Sequence, residues 1–70
     1  MSEADKMFEE LGYVCKEEDG MLIYLNENGA DISFGLDKHF VYVGEEMNAM
    51  WIDMKELKAI NKKCEELGWI

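Results

Sequence analysis

Arginine and proline are absent from these 70 residues, histidine occurs once (His39), and cysteine occurs twice (Cys15 and Cys64). Sixteen acids stand against seven lysines, a net charge of −9. That balance disfavours direct binding of DNA or RNA, whose affinity comes largely from neutralising phosphates. With no proline, no long polar tract and 49% hydrophobic residues, the chain is not of the disordered class. Long apolar runs are missing too. The longest, Met21 to Leu25, is far short of the roughly 20 residues a membrane helix needs. The acidic, polar start lacks the basic and apolar regions of a signal peptide, so a cytoplasmic setting is expected. There the two cysteines are expected as buried thiols and not as a disulfide. No close-spaced ligand pair exists to nucleate a metal site from Cys15, Cys64 and His39. No cofactor motif and no catalytic constellation is present. His39 adjoins no serine or cysteine nucleophile and is expected in a solvent-facing turn. The acids of Glu17-Glu18-Asp19 and Glu45-Glu46 sit beside turn glycines, where solvation is easy, and are expected as loop charges and not as a carboxylate dyad.

One pattern is present twice. Glu9-Glu10-Leu11-Gly12-Tyr13 and Glu65-Glu66-Leu67-Gly68-Trp69 each read as a last helical turn, a left-handed glycine cap and an aromatic folding back. Ser2 can cap the first helix, with Asp5 in the capping-box position, and Ala4, Met7, Phe8 and Leu11 form its apolar stripe. Asp53 and Glu56 make a capping box for the last helix, with Ile52 and Leu57 as its hydrophobic staple. Its expected buried stripe is Leu57, Ile60, Cys64 and Leu67, closed by Trp69. Lys55, Lys58 and Lys62 fall on one solvated stripe. Trp51 is likewise expected as a core closer.

Strand-type runs lie between the helices. Asn28-Gly29 is a strong two-residue hairpin signal, and pairing across it sets Leu25 opposite Ile32, Ile23 opposite Phe34 and Met21 opposite Leu36. Glu18-Asp19-Gly20 fits a three-residue hairpin that puts Cys15 opposite Ile23 and Tyr13 opposite Leu25. The connection around Asp37-Lys38 has two readings. A two- or four-residue loop turns Val41 and Val43 inward, and a three-residue loop turns Phe40 and Tyr42 inward. The first suits a face covered by helices. A short fifth strand is expected at Ala49–Ile52. The expected fold is a single α+β domain over residues 1–70, with an antiparallel sheet of four to five strands and both helices on one face.

The outward face is then expected to carry Leu22, Tyr24, Phe40 and Tyr42 around Ser33 and Gly35. With Glu45 and Glu46 in the loop that follows, these are the candidate protein-binding residues. The competing reading is that cross-strand aromatics simply stabilise a thin sheet.

The segments Phe8-Glu9-Glu10-Leu11-Gly12-Tyr13 and Glu56-Leu57-Lys58-Ala59-Ile60-Asn61-Lys62-Lys63-Cys64-Glu65-Glu66-Leu67-Gly68-Trp69 resemble a group of small proteins encoded by phages and prophages of Firmicutes. The resemblance covers both helices closely and the strands only in pattern. It implies expression in a bacterial host and carries no catalytic residues with it. The expectation is a non-enzymatic acidic module that needs no cofactor and binds a host protein with a basic surface. A self-associating protein that uses the outer sheet face as a homodimer interface is the alternative.

Overall fold

The computed structural model describes residues 2–44 and 51–70. Helix α1 (Glu3–Glu10) leads into four strands, β1 (Tyr13–Glu18), β2 (Met21–Asn26), β3 (Asp31–Gly35) and β4 (Phe40–Gly44), and helix α2 (Met54–Glu66) follows. The strands form one antiparallel sheet in the order β1-β2-β3-β4. This is the expected α+β arrangement. The expected fifth strand lies partly outside the described residues, and Trp51 and Ile52 are not extended partners of the sheet.

Both helix starts follow the sequence. Ser2 Oγ accepts the Asp5 N–H at 3.0 Å. At α2 the box is complete, with Glu56 N–H donating to Asp53 Oδ1 and Asp53 N–H to Glu56 Oε1, each at 2.9 Å. Both stops are glycines at positive φ, 89° for Gly12 and 77° for Gly68. After Gly68 the Trp69 N–H donates to the Cys64 carbonyl at 2.9 Å, a hydrogen bond that closes the last turn of α2. Tyr13 meets Phe8 edge-on, with ring centroids 5.7 Å apart.

The helices run antiparallel across one face of the sheet and are joined by charge. Lys63 Nζ lies 3.4 Å from Asp5 Oδ1 and 3.8 Å from Glu66 Oε1, while Glu66 Oε2 accepts the Ala4 N–H at 3.0 Å. Beneath them Phe8, Tyr13, Tyr24, Ile32, Phe34, Ala59, Ile60 and Cys64 form the core. Phe8 stacks on Tyr24 at 4.0 Å, and both meet the edge of Phe34. Three expected core positions are corrected. Trp51 is 66% exposed, Leu57 is 44% exposed, and Cys15 is exposed on the edge strand. The buried face of α2 is formed by Ala59, Ile60 and Cys64, and Leu57 turns toward solvent. Both thiols are free.

The register of β2 differs from expectation by one residue at each end. Asp19 and Gly20 have φ of 51° and 76°, so β1 and β2 are joined by a two-residue turn with Glu18 opposite Met21. This is the Asp-Gly form of the tightest hairpin, where a three-residue loop was expected. At the other end the loop has three residues, Glu27 to Gly29, where two were expected. Asn26 Oδ1 accepts the N–H groups of Asn28 (2.9 Å) and Ala30 (3.2 Å), and Gly29 takes the left-handed position with φ 85°. The two shifts cancel for β1 and β3, which keep their expected faces. Only β2 is reversed. Leu22 and Tyr24 point to the helices, opposite Phe34 and Ile32, while Met21, Ile23 and Leu25 point away. The loop to β4 has four residues, so Val41 and Val43 pair with Phe34 and Ile32 on the inner face, as expected.

Candidate functional site

The outer sheet face carries an apolar surface built from three strands around a fourth of small residues. β1 contributes Val14, β2 the row Met21, Ile23 and Leu25, and β4 the rings of Phe40 and Tyr42. β3 contributes Ser33 and Gly35. Those small residues let the rings lie down on the sheet. A Cβ at Gly35 would come within 2.2 Å of the Phe40 ring, and one at Gly44 would come within 2.8 Å of the Tyr42 ring. The aromatics thus shield the backbone of β3 and β4, as the sheet-stabilising reading holds. They also remain open to solvent, Phe40 at 44% and Tyr42 at 54%, and Val14 is 72% exposed. No described element packs on this face.

Of the expected binding residues, Phe40 and Tyr42 face outward. The outward placement of Leu22 and Tyr24 is overturned. Tyr24 is 1% exposed and belongs to the core, with Leu22 packed against that core. Glu45 and Glu46 lie outside the described residues. The residues that sequence reasoning missed are Met21, Ile23, Leu25 and Val14. Asp19-Gly20 read as a two-residue turn would have found the three on β2, since that single choice sets the face of every β2 side chain, whereas Val14 already followed from the inward places of Tyr13 and Cys15.

Charge borders the apolar surface. The segment between the helices, residues 11–53, carries nine acids and two lysines, so most of the molecule's negative charge is there. Glu17, Glu18 and Asp19 and, in the β3–β4 loop, Asp37 lie at one end of the strands, with Glu27 and Asp31 at the other. Lys16 is engaged by Glu18 at 3.1 Å.

The inner polar groups are occupied. The Tyr24 hydroxyl donates to Asp5 Oδ1 at 2.6 Å, and Tyr13 donates to Glu56 Oε2. Burial first, and then these carboxylates, push both phenols well above their ordinary range. For Asp5, burial favours the neutral acid, but the Tyr24 hydroxyl, Lys63 and Ser2 outweigh it and hold the carboxyl below its ordinary value. Glu66 is lowered in the same way, with burial opposed by the Ala4 N–H, Ser2 and Lys63. Burial pushes the Cys64 thiol up. His39, at φ 56°, stacks on Trp69 with ring centroids 4.8 Å apart and so helps seat the C-terminal aromatic.

A cavity of about 220 Å³ opens beside the start of α2, lined by Tyr13, Asn26, Asp31, Trp51, Asp53 and Glu56 among others. Asp31 Oδ1 is enclosed and has no hydrogen-bond partner among the described residues. Glu56 and Asp53 are already committed to the helix cap. Among the described residues no group of three His, Cys, Asp or Glu side chains is arranged to hold a metal. None of the described helices is long and apolar enough to cross a membrane.

Comparisons with protein-family models, with curated proteins and with solved structures each find no match.

Proposed function

We infer that this chain is a non-enzymatic, acidic protein-binding module of phage or prophage origin that modulates or inhibits a host protein in the bacterial cytoplasm. The observation that carries this reading is the solvent-exposed apolar sheet face between two acidic strand ends. Exposed aromatics and aliphatics in one patch mark interaction surfaces more often than scattered ones do. The surplus of acid points to a partner with a basic surface, and a nucleic-acid groove of that partner is the narrower version. Affinity capture from a Firmicute lysate tests the reading. The wild type should enrich a specific host protein, Tyr42→Ala should lose it, and Lys58→Ala on α2 should keep it. No enrichment, or enrichment indifferent to Tyr42, defeats the reading. Occupation of a nucleic-acid groove further requires that DNA or RNA compete with the module for the captured partner.

The same exposed face supports a second reading, a homodimer or other self-associating protein. The charge of −9 on each copy opposes it. Sedimentation at micromolar concentration separates the two, because a monomer whose stability is independent of concentration eliminates self-association.

A further inference from the structure

We propose that the occupant of the outer face is a single amphipathic helix of a partner protein, its apolar stripe on the sheet and its lysines or arginines over the acidic strand ends. This rests on the protein-binding reading and specifies the partner's chemistry.

Dimensions argue for a helix. Strands of five or six residues run about 16–20 Å, and four of them span about 14 Å between the outer axes. One helix, about 10–12 Å across with its side chains, covers that width. The surface is filled in above Gly35 and Gly44 by the Phe40 and Tyr42 rings. It therefore suits the ridge of a helix better than a single inserted side chain. Addition of a strand is opposed at the β1 edge, where Lys16, Glu17 and Glu18 are exposed charges of the kind that guard sheet edges.

Charge argues for basic flanks. Glu18 and Asp19 border one end of the aliphatic row and Glu27 and Asp31 the other, with Asp37 in the loop between β3 and β4. Of the seven lysines only Lys16 and Lys38 lie between the helices, and Lys16 is paired. An acidic helix or a second copy of this chain would bring like charges together at both ends.

Three synthetic peptides of about 18 residues test this. The first is a leucine/lysine helix with an apolar stripe, the second has glutamate in place of lysine, and the third is a scramble of the first with no stripe. Each is titrated into isotope-labelled protein while amide shifts are read. The leucine/lysine helix should move the amides of Met21, Ile23, Leu25 and Tyr42, with affinity dropping about tenfold or more between low and moderate salt. Ile23→Lys and Tyr42→Ser should each weaken it about tenfold, while thermal melts show both variants folded. Equal binding by the scramble reduces the effect to bulk charge and overturns the proposal. Equal binding by the glutamate helix at this face overturns the basic occupant and leaves the protein-binding reading standing. Shifts confined to α1 and α2, or no binding by any peptide, overturn the helix proposal, and the lysate capture then decides the broader reading. Concentration-dependent shifts of these strands without peptide identify a second copy as the occupant and overturn it as well.

Discussion

Gly12 and Gly68 sit at positive φ with open space where a Cβ would be, so the cost of a larger residue there is backbone strain alone. Gly12→Val and Gly68→Val are each expected to lose on the order of 1–2 kcal/mol in urea titrations. Asparagine at the same sites should lose clearly less, because it tolerates the left-handed region. Equal losses for valine and asparagine would point to contacts and not to conformation. Tyrosines 24 and 42 separate inner from outer in the same way. Tyr24→Ala removes a ring stacked on Phe8 and a hydroxyl bonded to Asp5, at an expected cost of about 3 kcal/mol or more. Tyr42→Ala, on the open face, should stay within about 1 kcal/mol while weakening partner binding. Thermal melts of the pair read the difference directly, and a more damaging Tyr42 variant would reverse the assignment of faces.

At the scale of elements, Glu56 serves two ends of the chain at once. One carboxylate oxygen completes the α2 capping box and the other accepts the Tyr13 hydroxyl at the start of β1. Glu56→Ala removes both and leaves a largely buried phenol without its partner, so a loss of about 2 kcal/mol is expected. Tyr13→Phe should recover part of that loss in the double variant, because it removes the group left unpaired. Strict additivity of the two changes, measured in a double-mutant cycle, would mean that the hydrogen bond between them contributes nothing. The antiparallel pairing of α1 and α2 depends in turn on Lys63, a mostly buried ammonium between Asp5 and Glu66. Exposed ion pairs such as Lys62 with Glu3 add little beside it.

For the whole molecule, acid is the condition that tests this junction. Asp5 and Glu66 are both held below their ordinary values in the folded state. Their contribution is therefore complete above the ordinary carboxylate range and is lost as pH falls through the folded values, below about pH 4. Relief of self-repulsion among the sixteen acids works in the opposite direction over the same range. A comparison of variants isolates the junction. Asp5→Asn and Glu66→Gln should be less stable than wild type near neutrality and approach it as the pH is lowered. A gap that stays constant with pH in denaturant titrations would show that these carboxylates are not linked to folding.

The sequence by itself determined the two capped helices, their glycine stops, the order of elements and the acidity of the strands. Each of these depends on local chemistry: Asp53 with Glu56, Gly12 before Tyr13, Asp19 before Gly20. It also put Phe40 and Tyr42 on the outer face, because the valines beside them suit a covered one. The face of β2 hung on whether Asp19-Gly20 closes a two- or a three-residue turn, and the residues of the strand itself could not decide it. Met21 through Leu25 is apolar at every position, so alternation carries no information there, and a one-residue change in loop length reverses the strand. The choice was made by partners distant in the chain. Tyr24 turned inward finds Phe8 for its ring and Asp5, held by Lys63, for its hydroxyl, whereas Ile23 in its place would leave that half-buried pair without the phenol. The aliphatic row of the candidate site faces solvent for the same reason. Because the Asp5 carboxylate satisfies the Tyr24 hydroxyl, the larger ring is buried against Phe8 and Phe34 without an unpaired polar group, and Met21, Ile23 and Leu25 are left on the other face.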